Sequence, residues 1–494
     1  MVSPRPTPQG DVCRGRPRRI QEECEDRLSG LPEELLLDVL NRLGCVREAA
    51  RTSALSRRWC NLWAELRELK FHDVRPNMLE NALSQVRPKL KCLDIKVRLP
   101  EDRNRLAVAR NHGARISSLL CAADRLQPVE FVFSLDRYRG SRVPVPLEVP
   151  CFERTASIHL LISRINCTLT PVGELTSLKQ LTIKLGSCPA NPSFLISRCP
   201  SLRKLTMDLN IMRTNNTFAI ESESLEELTF SMRSRNDTVA IVIVAPELKH
   251  FIMKSEHCEL AMSQSVPKLE DVLLEYTFAY PRVGFGKRWP LQSLRMATEW
   301  SDMHPTGVRV HVLTLRIYPH HDLITSEQSI AQEIARLPVT SFSVLKLHLQ
   351  AGGHVFGALL LQLLRIRTSI RKLKLFLWET FPRKRMFQEC SEHCDCKCYE
   401  NCDCYQDPSW RNENLSLPDL EDVEIQGFGV VDDTVDVLKL LFRSAPMLKT
   451  MNIQVSDELT LNNGGQQRLE NIFQANASVK CSIRVSIYYE GNSY

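Results

Sequence analysis

A short core, Leu-x-x-Leu-x-apolar, recurs through the middle of this chain and constrains its fold more than any other feature. It stands at Leu178/Leu181/Ile183, Leu202/Leu205/Met207, Leu225/Leu228/Phe230, Leu248/Phe251/Met253, Leu269/Val272/Leu274 and Leu291/Leu294/Met296. Successive first positions lie 24, 23, 23, 21 and 22 residues apart. The last residues of each core alternate inward and outward as a short strand does. A unit of this length cannot bury its own apolar face, so neighbours must stack to cover one another, and the expected product is a solenoid. A proline often makes the turn into the core, as in Cys199-Pro200, Ala245-Pro246 and Val266-Pro267.

Weaker copies extend the array. Leu90/Leu93/Ile95 and Thr155/Ile158/Leu160 lie upstream; Val310/Leu313/Leu315, Phe342/Leu345/Leu347 and Ile370/Leu373/Leu375 lie downstream. The period and core resemble those of leucine-rich repeats. The repeats lack the regular Asn of the best-known class, so irregular convex segments are expected opposite a parallel sheet on the concave side. Val355–Arg367 reads as a buried helix within one repeat, and Tyr280–Pro290, with Pro281, Gly284 and Gly286, as a loop.

The stretch Asp26–Leu69 has a different pattern. Leu35, Leu36, Val39, Leu40 and Leu43 form one broad stripe at helical spacing, and Leu55, Trp59, Leu62, Trp63, Leu66 and Leu69 form a second. Pro32 suits a first helical position and biases Leu31 toward an extended conformation. Ser56 is the expected N-cap of a second long helix. So small a unit carries more apolar surface than it can hide, which points to a protein partner. Leu31-Pro32, the Leu-rich helix, Arg51-Thr52-Ser53, Leu55-Ser56-Arg57-Arg58-Trp59 and Leu62-Trp63 together resemble an F-box of the plant form. That resemblance implies a substrate receptor of an SCF-type ubiquitin ligase, docked on a Skp-type adaptor and, through it, on a cullin. The residues expected at the adaptor are Leu31, Pro32, Leu36, Leu40, Leu43, Leu55, Trp59, Leu62 and Trp63. Some of these must pack the F-box itself, and sequence does not apportion them.

Near the other end, Leu417–Ile425 repeats the strand signature, and Gly427-Phe428-Gly429 reads as a turn. A helix is expected from Asp433, as N-cap, to Ser444, with Val435, Leu438, Leu441 and Phe442 on one face. Pro446 stops it, and Leu448/Met451/Ile453 gives a further strand. This run resembles the FBD domain of plant F-box proteins; Cys402-x-Cys404 and Trp410 resemble sequences of its grass members. The reading is thus α/β: a basic, Pro-rich tail over 1–25, a helical F-box over 26–70, an irregular leucine-rich-repeat solenoid over 71–385, a Cys-rich insertion over 386–410 and FBD-like repeats over 411–494.

Composition narrows the function. The chain carries 64 Lys and Arg against 58 Asp and Glu, a net charge of +6 that is too mild to argue for nucleic acid. Arg14, Arg16, Arg18 and Arg19 read as a solvated basic tail, and basic and aromatic residues are not interleaved as in single-strand binders. Neither a secretory signal nor an apolar span is evident, so cytosol or nucleus is expected, with the 18 cysteines mostly reduced. Cys390, Cys394, Cys396, Cys398, Cys402 and Cys404 cluster beside His393, in spacings that fit paired zinc knuckles poorly. An exposed loop with free thiols is the preferred reading; zinc at Cys394, Cys396, Cys402 and Cys404 is the alternative. His320-His321-Asp322 reads as a solvated loop. No phosphate-binding, nucleophile-elbow or zinc-protease motif is present, so a non-catalytic protein without cofactor is expected. The resemblance implies a receptor whose repeats hold a protein substrate of unspecified identity; the alternative is a repeat scaffold without a ubiquitin-ligase role.

Overall fold

The computed structural model describes residues 30–485 apart from 73, 75, 100–104, 138–140, 189–192, 212–216, 235–237, 257–258, 279–282, 286–288, 302–307, 319–327, 340, 351–354, 368, 379–407 and 456–463. The basic tail, the six clustered cysteines and His320-His321-Asp322 lie outside the described residues. The chain divides into two compact units, the first ending at Leu66 and the second beginning at Arg67.

The first unit is helical. A helix over Glu33–Arg42 follows Pro32, places Glu33 and Glu34 in its first turn, where the helix dipole favours anions, and ends with Arg42. Gly44 follows it with φ of +69°, a left-handed conformation that glycine adopts without strain. A short helix, Val46–Arg51, runs on into a 3₁₀ turn at Thr52–Ala54. The expected second long helix from Ser56 does not form. Trp59, Cys60 and Leu62 each donate to a carbonyl three residues back, and Leu62–Glu65 is a single 3₁₀ turn. Asn61, at φ of +59°, breaks any continuous helix between Ser56 and Leu66.

The second unit is built on one long ladder of strands. Glu68–His72, Cys92–Leu99, Glu130–Arg137, Ser157–Pro171, Gln180–Cys188, Lys204–Ile211, Glu227–Ser234, His250–Glu256 and Asp271–Thr277 follow one another in parallel. The residues just before the strands extend the rungs: Lys179 N–H donates to Ala156, Arg203 to Lys179, Glu226 to Arg203 and Lys249 to Glu226, all within 2.8–2.9 Å. Trp289–Trp300 then runs antiparallel to both of its neighbours. The parallel order resumes through Arg309–Ile317, Val344–Gln350, Lys372–Trp378, Asp422–Phe428, Thr450–Val455 and Lys480–Val485. The helical first unit and this parallel, strand-rich array give the α/β repeat architecture read from the sequence.

Alternation places the core. Leu205, Met207 and Leu209 are buried with Leu228, Phe230 and Met232 of the next strand, while Asp208, Asn210, Ser231 and Arg233 lie on the other face. Thr155 takes the place of a leucine in its repeat and remains buried because its hydroxyl donates to the Pro128 carbonyl at 2.7 Å.

Five expectations are corrected here. The outer segments are not all irregular: Thr217–Glu221, Thr238–Val244 and Glu259–Ser265 form a second parallel sheet, with Phe218, Ile220, Ile241 and Ile243 facing the core. The core at Leu291/Leu294/Met296 lies on the antiparallel strand, not on a parallel one. Within the expected loop, Val283–Phe285 is a strand beside Trp289-Pro290 and Gln328-Ser329. Gly427-Phe428 is not a turn; both residues continue the strand through a bulge, with Gly427 at φ of +73°. The C-terminal helix spans Asp432–Ser444 with Val431, not Asp433, at its N-cap. The Val431 N–H is met by the Thr434 hydroxyl at 3.2 Å, and Asp433 instead pairs with Arg411.

Candidate docking surfaces

In the first unit the single apolar stripe of the sequence separates into two faces. Leu36 and Leu40, four residues apart, are buried with Val46, Ala49, Trp59, Leu62, Trp63 and Leu66. Leu35, Val39 and Leu43 lie one position round the helix and are exposed, Leu35 by 49%; Leu55 is 66% exposed. Of the nine residues expected at a partner, Leu36, Leu40, Trp59, Leu62 and Trp63 form the interior of this unit, where a partner cannot reach them. Leu43, Leu55 and Pro32 are on the surface, and Leu31 is half-buried. Leu35 and Val39 belong to the exposed face as well; their place in the same helical stripe was the signal. The Arg58 guanidinium donates to the Leu31 carbonyl, tying the turn before Trp59 to the start of the helix.

The second unit presents the open face of its long sheet. Ionic pairs join strands across it: Lys204 with Glu227 at 2.6 Å, Lys254 with Glu275 at 2.9 Å and Lys374 with Glu424 at 2.9 Å on neighbouring strands, and Lys346 with Glu299 at 2.8 Å over the intervening strand Arg309–Ile317. Lys372 and Asp422 meet at 2.7 Å. Burial works to raise the carboxyl of Glu299, but hydrogen bonds from Lys346 and Arg295 outweigh it and hold the group below its ordinary range. Glu424 is held down in the same way, by Lys374 and Gln426 against burial. These carboxylates are therefore satisfied within the sheet rather than poised for proton transfer.

One stretch of the open face has a different composition. Arg316, His348, Phe376, Gln426 and Gln454 stand directly opposite one another on five successive strands. The His348 imidazole lies parallel to the Phe376 ring, with centroids 4.3 Å apart and 9° between planes. Burial, with Arg316 and Lys346 adding to it, pushes His348 down to about 4, so the ring is neutral at physiological pH. Trp378 lies two residues on from Phe376 and is 46% exposed.

Among the described residues, no group of three or more His, Cys, Asp or Glu is placed to hold a metal. Cys199 is pushed up to about 12 by burial, and Cys92 up to about 11 by burial and by Glu130, so both remain thiols. No described helix is long and apolar enough to cross a membrane.

Comparison with known proteins bears on both surfaces. The family model "F-box domain" matches residues 28–71, which take in the described part of the first unit and most of the strand Glu68–His72. The model "FBD-associated F-box protein At5g56370, LRR repeats" matches residues 118–279, which take in the strands from Glu130–Arg137 to Asp271–Thr277 and the second sheet. An F-box/FBD/LRR-repeat protein of Arabidopsis thaliana is 28% identical over 257 residues, covering 50% of this chain and 54% of that relative. An FBD-associated F-box protein of the same plant is 23% identical over 442 residues, covering 87% of this chain and 99% of the relative. An F-box/LRR-repeat protein, also of Arabidopsis thaliana, is 26% identical over 264 residues, covering 51% and 82%. The chain thus spans about half the length of the first of these relatives. No solved structure matches.

Proposed function

We infer that this chain, which carries an F-box and FBD-associated leucine-rich repeats, serves as the substrate-recognition subunit of an SCF-type ubiquitin ligase. The observation that carries the reading is the exposed apolar face of Leu35, Val39, Leu43 and Leu55, on a unit whose interior is already filled by Leu36, Leu40, Trp59, Leu62 and Trp63. Half-exposed leucines gain roughly 1 kcal/mol or more each when covered, enough together to anchor a partner helix. That partner is a Skp-type adaptor, bound in turn to a cullin. The open face of the repeats holds a protein substrate, and the chain adds proximity rather than chemistry: it raises the local concentration of substrate lysines beside a separate ubiquitin donor. The compartment is cytosol, nucleus or both.

Capture of a recombinant Skp-type adaptor by the full chain tests this. Leu35→Asp with Leu43→Asp is expected to reduce capture by about tenfold or more while the melting curve is unchanged. Undiminished capture, or no capture by the native chain, overturns the receptor reading and leaves the repeats as an interaction scaffold.

A further inference from the structure

Around this row several charges of the open face are matched in pairs. Lys346, Lys372 and Lys374 face Glu299, Asp422 and Glu424, and Arg295 is bound to Glu275 and Glu299. Arg316 is exposed, stands beside His348 in register, and meets no carboxylate among the described residues. The charges that act on His348 are both cationic, Arg316 and Lys346, which marks the local field as positive. Beside this cation lies the flat, uncharged surface of the His348–Phe376 stack, and the exposed indole of Trp378 stands two residues on from Phe376. The amides of Gln426 and Gln454 continue the row. An unpaired arginine next to exposed aromatic area is the composition of a binding hot spot rather than of a solvated sheet face. Its neighbours, by contrast, are neutralised where they stand.

We propose that the row from Arg316 to Gln454, with Trp378 at its edge, is the part of the open face that binds a substrate. Its ligand is an extended protein segment that carries an anionic side chain next to an apolar one. The anion pairs with the Arg316 guanidinium, which presents donors in a planar fork suited to a carboxylate or a phosphate. The apolar neighbour covers Phe376 and Trp378, and the glutamines hydrogen-bond the segment's backbone. Five adjacent strands span about 20 Å, the length of about six extended residues. This proposal rests on the receptor reading for its biological sense, but its chemistry stands apart from the adaptor.

The test uses the full chain against an array of peptides of about eight residues. Each has a central Asp, Glu, phosphoserine or Asn, flanked by Phe and Leu or by Gly. Anionic peptides with apolar flanks are expected to be selected. Arg316→Glu and Trp378→Ala should each lower their binding by about tenfold. Lys184→Glu makes the same charge change at an exposed open-face position on Gln180–Cys188 and should leave binding intact. Preference for Asp and Glu assigns a carboxylate, and preference for phosphoserine assigns a phosphate; both support the site. Binding indifferent to peptide charge, equal loss with Lys184→Glu, or no binding to any peptide overturns it. Adaptor capture on the same samples separates the two readings: intact capture with failed selection sinks only the site, and the reverse sinks only the receptor role.

Discussion

Leu35 and Leu36 are consecutive on one helix and meet opposite environments: Leu35 is 49% exposed and Leu36 fully buried. The same hydrophobic stripe therefore holds this unit together through one residue and faces outward through its neighbour. Leu36→Ala is expected to cost about 2–5 kcal/mol, since it removes a core side chain and leaves a cavity. Leu35→Ser should move stability by no more than about 0.5 kcal/mol. Urea unfolding of the two variants, set beside adaptor capture, separates the roles. Leu35→Ser should lose capture at native stability, and equal destabilisation by both would show that the exposed face is structural.

The ion pair between Lys372 and Asp422 is the most enclosed of those on the open face, with each side chain 14% exposed and the Thr450 hydroxyl also donating to Asp422. Asp422→Ala leaves a lysine enclosed without its counter-charge and is expected to cost about 3 kcal/mol. Lys372→Met combined with Asp422→Leu removes both charges and should recover most of that loss. A double-mutant cycle by chemical denaturation measures it. Additive costs for the two single changes would mean that the pair does not act as a unit.

The strands of the repeat array were legible because alternation and the Leu-x-x-Leu core are local properties, written residue by residue. What depended on distant partners was not. Leu291, Leu294 and Met296 carry the core of a repeat, but the direction of their strand is set by pairing with Asp271–Thr277 and Arg309–Ile317. Ile241 and Ile243 alternate plainly, yet nothing local says that they build a second sheet with Phe218 and Ile220. The segment from Leu55 to Leu66 has helical periodicity, and the left-handed Asn61 defeats it. Leu66, Leu69 and Phe71 repeat the Leu-x-x-Leu-x-apolar core, and the strand they lead into, Glu68–His72, belongs with the repeats rather than with the helices before it. At the docking surfaces the residues of the F-box stripe were readable and their apportioning was not. The row from Arg316 to Gln454 exists only once five strands are in register.

Gly427 and Gly44 give a controlled comparison of backbone strain. Both are left-handed, at φ of +73° and +69°. A Cβ on Gly427 would meet the Leu377 carbonyl oxygen, whereas one on Gly44 would meet nothing within 4 Å. Gly44→Ala should cost about 1 kcal/mol, the conformational penalty alone. Gly427→Ala adds a clash with backbone inside the sheet and should cost about 3 kcal/mol in total. Thermal or urea unfolding distinguishes them. Equal costs would mean that the bulge relaxes to admit the methyl group.

His348 gives the sheet a pH dependence with a definite sign. Its ordinary value near 6.5 applies to the unfolded chain, and in the fold burial, Arg316 and Lys346 push it down to about 4. Between those values the unfolded chain takes up a proton that the folded chain refuses. Stability from this group is therefore complete above about 6.5 and is lost as pH falls toward 4. His311 is lowered in the same direction, by burial against the opposing pull of Asp271, so it contributes to the same limb. Replacing His348 with Phe keeps an aromatic ring against Phe376 and removes the titration. The melting temperature of the native chain should fall between pH 7 and pH 5, the part of that interval below about 6.5 supplying most of the drop. In His348→Phe the fall should be smaller, with the remainder carried by His311. An unchanged slope in the variant would show that the imidazole takes up its proton in the fold as readily as in the unfolded chain.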